Sequence, residues 1–94
     1  MRIEIADVVI SLNGRDTGKR FLAVGTEDGY VHLADGKGRR IEKPKRKKLR
    51  HVELEDKLDG QTAEKLKSSE KVTNSEIRRA MAQYAADRGD KGGM

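Results

Sequence analysis

The sequence predicts a mainly β protein: about five short strands form an antiparallel meander that curls into a small barrel, followed by a polar linker and a C-terminal α-helix. Three observations carry this expectation. Short apolar and β-branched runs recur through the first half of the chain, each closed by a turn signal. The one clear helical stripe lies after Thr73. Apolar residues make up 34% of 94, with one Phe, two Tyr and no Trp, which is material for one small core and not for two.

The first run, residues 7–12 (DVVISL), sets Val8, Ile10 and Leu12 on one strand face and Val9 and Ser11 on the other. Asn13 and Gly14 open a turn. In residues 21–26 (FLAVGT), Phe21 and Ala23 share one face, Leu22 and Val24 the other. Both faces of these strands are apolar, so a layer beyond the barrel is expected to cover one of them. Glu27, Asp28 and Gly29 turn the chain into residues 30–33 (YVHL), and Asp35 and Gly36 close that run. Residues 39–43 (RRIEK) are expected as a further short strand, halted near Pro44, which cannot donate to a central ladder. Residues 49–54 (LRHVEL) read as the last strand.

The chain then turns acidic over residues 53–59 (ELEDKLD) and polar over 60–72, which suits a linker with some helical character. Thr73 begins a helix: its side chain can cap the first-turn amides while Glu76, three residues on, reaches back. Ile77, Ala80, Met81, Tyr84 and Ala85 fall on one stripe. A helix of about 13 residues is marginal alone, so this one needs a surface to dock on. Gly89 should end it, and Gly92 and Gly93 do not propagate it. The expected organisation is a strand domain over 1–55, a polar linker over 56–72, an amphipathic helix over 73–88 and a flexible tail over 89–94.

Charge is the strongest compositional signal. Residues 37–50 hold nine cations against Glu42 alone, a net +8, which leaves −3 for the other 80 residues of a chain with net charge +5. Such local crowding of one sign points to a polyanion. The chain has no Cys, which excludes disulfides and thiolate metal sites and suits a reducing compartment. Its apolar runs, Val8 to Ile10 and Phe21 to Val24 included, are far short of a membrane span, and no apolar segment follows Met1. The expectation is a cytoplasmic protein with no membrane partner, no cofactor and no metal.

Residues 13–20 (NGRDTGKR) superficially resemble a nucleotide-phosphate loop. Such a loop needs four residues between its glycines and a hydroxyl after the lysine, set between a strand and a helix. Here three residues, Arg15, Asp16 and Thr17, separate Gly14 from Gly18, Arg20 follows Lys19, and a strand-like run comes next. Spacing, chemistry and context all fail.

Residues 7–36 instead resemble a KOW motif. Asp7 and Val9 match its opening, Gly18 its key glycine, and Val24, Val31 and Leu33 its later apolar positions; Ser11 stands where the motif prefers Val. Adding residues 14–19 (GRDTGK), the Asp35–Gly36 turn and residues 39–53 (RRIEKPKRKKLRHVE), the first 53 residues are similar to the archaeal and eukaryotic large-subunit ribosomal proteins of the L-fourteen-e type and their short bacterial relatives. The C-terminal helix resembles tails of those bacterial relatives. The resemblance implies an SH3-like (KOW) barrel of about five strands that binds RNA, usually ribosomal RNA, on the ribosome. Gly18 would allow a positive φ or a close approach. Arg15, Lys19 and Arg20 would flank that loop as phosphate donors, and Arg39, Arg40, Lys43, Lys45, Arg46, Lys47, Lys48 and Arg50 would supply a second set beside it. Arg15 is best suited to stack on or fork to a base.

Plainer readings compete. Gly18 can serve turn geometry alone. Phe21 and Tyr30 are better read as core than as base-stacking rings. His32 and His51 lack partners at metal-ligand spacing. Asp7, Asp16 and Asp35 suit turns and caps, and no Ser/His/Asp or paired-carboxylate constellation points to an enzyme. Ile77, Met81 and Tyr84 pack either on the barrel or on a neighbouring protein, ribosomal proteins included. The competing functions are a protein-interaction adaptor and a transcription-associated KOW factor or non-specific DNA binder.

Overall fold

A computed structural model describes residues 2–89; the expected tail beyond Gly89 lies outside the described residues. The chain runs β1 (Asp7–Ser11), β2 (Arg20–Glu27), β3 (Tyr30–Ala34), β4 (Lys45–Lys48), a single 3-10 turn (Leu49–His51), β5 (Val52–Lys57), α1 (Gln61–Lys67) and α2 (Asn74–Asp87). All five strands join one antiparallel sheet in the order β4-β3-β2-β1-β5. The pairings end at β4 and β5, so no ladder closes a barrel. A side chain reaches across instead: the Lys47 ammonium of β4 donates to the Asn13 carbonyl just past β1.

Strict alternation divides the apolar residues between two clusters. Val9, Phe21, Ala23, Val31, Leu33 and Val52 form one with Ile3, drawn almost entirely from the sheet, which must therefore curve over them. Register shifts at Val8/Val9 and Ala23/Gly25 supply extra twist for that curvature. Val8, Leu22 and Ala34 face the other way and meet Leu58, Ala63, Leu66, Val72, Ile77 and Tyr84. The second apolar face is thus covered by the chain's own C-terminal third. That explains both the two-sided apolar strands and the docking need of the last helix.

Residues 56–72 are not a spacer. Asp56 and Lys57 complete β5, and Leu58, Ala63, Leu66 and Val72 are buried in the layer over the sheet. These few apolar residues are spread thinly through polar sequence, which hid the layer from a composition-based reading. The Thr73 cap forms as expected: its hydroxyl accepts from the Glu76 amide (3.1 Å) and its amide donates to the Glu76 carboxylate (2.9 Å). Lys65 donates to the same carboxylate and is the main reason Glu76 titrates low, at about 2. Beyond α2, Gly89 takes φ +81° and its amide returns to Ala86.

Two strand assignments need correction. Residues 39–43 form a loop, and the basic strand lies after Pro44, at Lys45–Lys48. The amides a strand would use are taken: Asp35 accepts from the amides of Lys37 and Arg39 (2.9 Å each), and Asn74 of α2 accepts from Ile41 (2.7 Å). Residues 49–51 turn a corner before β5 begins, because the Leu49 amide donates to Gly29 and the His51 carbonyl accepts from Leu12. Gly36 permits the loop to meet α2. At φ +78°, a Cβ there would lie 2.5 Å from the Asn74 carbonyl oxygen and 2.9 Å from Arg78 Cγ.

Candidate nucleic-acid interface

The loop between β1 and β2 is a built turn. Gly18 closes it, donating to Ser11 (2.7 Å), while Thr17 turns back to Gly14 through both its amide (3.2 Å) and its hydroxyl (2.6 Å). Ser11, which departs from the KOW pattern, is buried and donates its hydroxyl to Asn13 (3.1 Å), so its polarity serves the turn. Gly18 adopts φ +86° with nothing of the chain within 4 Å of a built Cβ. Backbone conformation is therefore its internal requirement, and the space beside it is open.

Asp16 is more than a turn former. Its carboxylate accepts from Arg39 (2.9 Å) and pairs with Lys19 (3.5 Å), and the Arg39 hydrogen bond holds its carboxyl below the usual range. Arg39 thereby pins the β1–β2 loop to the loop after β3, and Lys47 pins it to β4. The structure brings Arg15, Gly18, Lys19, Arg39 and Lys47 to one neighbourhood.

The basic strand does not present one face. Residues directly opposed in an antiparallel pair share a face. Lys45 and Lys47 therefore lie with Leu33 and Val31, and Arg46 and Lys48 with His32 and Tyr30. Arg46 lies over the Tyr30 ring, 3.5 Å from its centroid, and donates to Glu27 (2.9 Å). His32 meets the same carboxylate, and the His32 and Arg46 hydrogen bonds lower the Glu27 pKa. Phe21 is core, as expected; Tyr30 belongs to neither apolar cluster, which corrects its reading as a core ring.

Arg20 points elsewhere. On the helix-covered face of β2 it donates twice to Glu55 (2.9 Å each), which also accepts from Tyr84 (3.0 Å) and pairs with Arg88 (2.9 Å). Glu55 is 9% exposed, and the Arg20 bonds keep its carboxyl depressed. Burial raises the Tyr84 hydroxyl. Arg20 thus serves the junction of β2, β5 and α2 rather than the loop. Arg40 pairs with Glu42 (3.4 Å), which Asn74 holds with its side-chain amide.

Among the described residues, the side chains of Arg15, Lys43, Lys45, Lys48 and Arg50 make no hydrogen bond or ion pair. No group of three or more His, Asp or Glu side chains is arranged to hold a metal ion, and no helix is long and apolar enough to cross a membrane, among those same residues. The Asp16–Arg39, Glu27–Arg46 and Glu55–Arg20 pairs were invisible to sequence reasoning, since each joins residues on different strands or loops. No family model matches the chain, and no curated protein matches it.

Proposed function

We propose that this chain is a non-enzymatic RNA-binding protein, an SH3-like KOW module whose sheet stays open along one seam. Its ligand is structured RNA, most naturally ribosomal RNA, held in the cytoplasm as part of or in association with the large ribosomal subunit. The observation that carries the reading is the crowding of Arg15, Lys43, Lys45, Lys48 and Arg50 on and around one edge strand, each with no counterion among the described residues; Lys37, Lys67, Lys71 and Arg79 also lack one but lie outside β4 and its flanks. Cations crowded on and around one edge strand repel each other, and a polyanion removes that repulsion. Edge-strand lysines also deter unwanted strand pairing, but Arg15, Lys43 and Arg50 lie off the strand. The KOW-like residues at Asp7, Val9, Gly18, Val24, Val31 and Leu33 support the same reading. Arg39 and Lys47 act by holding the loop in place, and Arg20 acts within the fold.

Contacts of this kind go chiefly to phosphates and release counterions. With five phosphates neutralised, affinity should fall roughly 100- to 500-fold between 50 and 200 mM salt, from slopes of about −0.7 to −0.9 per phosphate. Filter binding or fluorescence anisotropy with a folded ribosomal RNA fragment measures this. A change of less than about threefold refutes electrostatic capture. The combined variant Lys45→Glu, Lys48→Glu, Arg50→Glu should fold normally and lose RNA; normal binding refutes the patch assignment. The adaptor alternative loses its main support, because the Ile77–Tyr84 stripe is occupied by the chain's own sheet.

A further inference from the structure

We propose that Tyr30 and Arg46 form a seat for one unpaired RNA base, distinct from the backbone contacts and resting on the RNA-binding reading above. Phe21 and Tyr84 are buried, whereas Tyr30, the third aromatic residue of the chain, contributes to no apolar cluster. It begins β3 on the face away from Val31 and Leu33 and carries the Arg46 guanidinium at 3.5 Å. The Arg46 side chain is 54% exposed, so a flat ligand can extend the stack or replace part of it. Unpaired bases stack on aromatic rings and on Arg planes, while bases inside an A-form duplex are inaccessible to either.

The surroundings suit a nucleotide. Strand register sets Lys48 opposite Tyr30 and His32 opposite Arg46. The amide of Leu49 donates to Gly29 (3.0 Å), which fastens the turn bearing Arg50 beside the start of β3. A phosphate flanking the seated base thus has Lys48 and Arg50 within the same region of surface. Glu27 holds Arg46 by accepting from its Nε atom at 2.9 Å, and in doing so occupies a donor that a base edge or phosphate oxygen can use. Glu27 therefore opposes the ligand. A stack serving only to stiffen the strand edge would require it.

The test compares two labelled RNAs by fluorescence anisotropy, a hairpin with an unpaired loop and a blunt duplex with the same number of phosphates. Tyr30→Leu should weaken hairpin binding about tenfold or more, the loss of one base stacked on an aromatic ring, and duplex binding less than about twofold. Tyr30→Phe should keep both affinities. Glu27→Gln should strengthen hairpin binding. Arg46→Lys keeps the charge but not the plane and should reproduce the Tyr30→Leu pattern, which preserves the test if Tyr30→Leu does not fold. Equal losses on both RNAs, or no loss on the hairpin, overturn the base seat while leaving RNA binding standing. Wild-type protein that binds neither RNA overturns the RNA-binding reading, and the seat with it.

Discussion

Replacing Gly36 by Ala should undo the docking of α2, and the size of the effect can be separated from simple backbone strain. Gly36 and Gly29 adopt nearly the same positive φ, +78° and +79°. An alanine at either position must take a left-handed backbone, at about 1–2 kcal/mol, less about 0.4–1 kcal/mol returned by its stiffer unfolded chain. Their surroundings differ. A Cβ on Gly29 meets nothing within 4 Å, whereas one on Gly36 would sit 2.5 Å from the Asn74 carbonyl oxygen. That oxygen is backbone at the first residue of α2 and cannot swing away as a side chain does. Relief requires moving the helix, which also strains the bond from Arg78 to the Gly36 carbonyl and the bond from the Ile41 amide to Asn74. Overpacking of this kind costs about 1–3 kcal/mol. Gly29→Ala should therefore lose about 1 kcal/mol, and Gly36→Ala about 1–3 kcal/mol beyond it. Urea denaturation followed by circular dichroism measures both. The extra loss corresponds to about 4–8 °C of Tm per kcal/mol in a chain of this size. If Gly36→Ala falls within about 0.5 kcal/mol of Gly29→Ala, the close approach between this loop and α2 is wrong.

Glu55→Gln removes the carboxylate that Arg20, Tyr84 and Arg88 share and should cost about 1–3 kcal/mol, read by the same denaturation; a loss below about 0.5 kcal/mol would show that the junction is not held by this carboxylate. The pH dependence follows from the depressed Glu55 pKa: the folded value lies below the unfolded one, so its contribution is full above the unfolded pKa and disappears as pH falls through the folded value. Wild-type stability should drop on acidification below the ordinary carboxylate range, and Glu55→Gln should drop less steeply. Ser69→Gly should stabilise the protein by about 0.5–1 kcal/mol, because Ser69 sits at φ +61° in the closing turn of α1, where the Glu70 amide returns to Lys65. A destabilised Ser69→Gly would refute that turn.

Much of this protein is legible from residues that lie close together in sequence. The Thr73–Glu76 cap, the glycine after α2, the turns at residues 13–14 and 27–29, and the alternation through β1 and β2 each depend on chemistry within a few positions of the chain. The two-sided apolar strands even implied a covering layer. Its identity was not legible, because Leu58, Leu66 and Val72 are scattered through polar sequence and become a layer only against Val8, Leu22 and Ala34. Folding likewise decided where the basic strand lies: Asn74 takes the Ile41 amide from 33 residues away, and no local pattern announces such a partner. The same holds for the cations. Their number is a property of the sequence, but whether one is neutralised depends on which carboxylate comes within reach. Arg20 found Glu55, 35 residues on, whereas Arg15 found none among the described residues. Local propensity acts through neighbours along the chain, and hydrogen bonds and ion pairs act through neighbours in space.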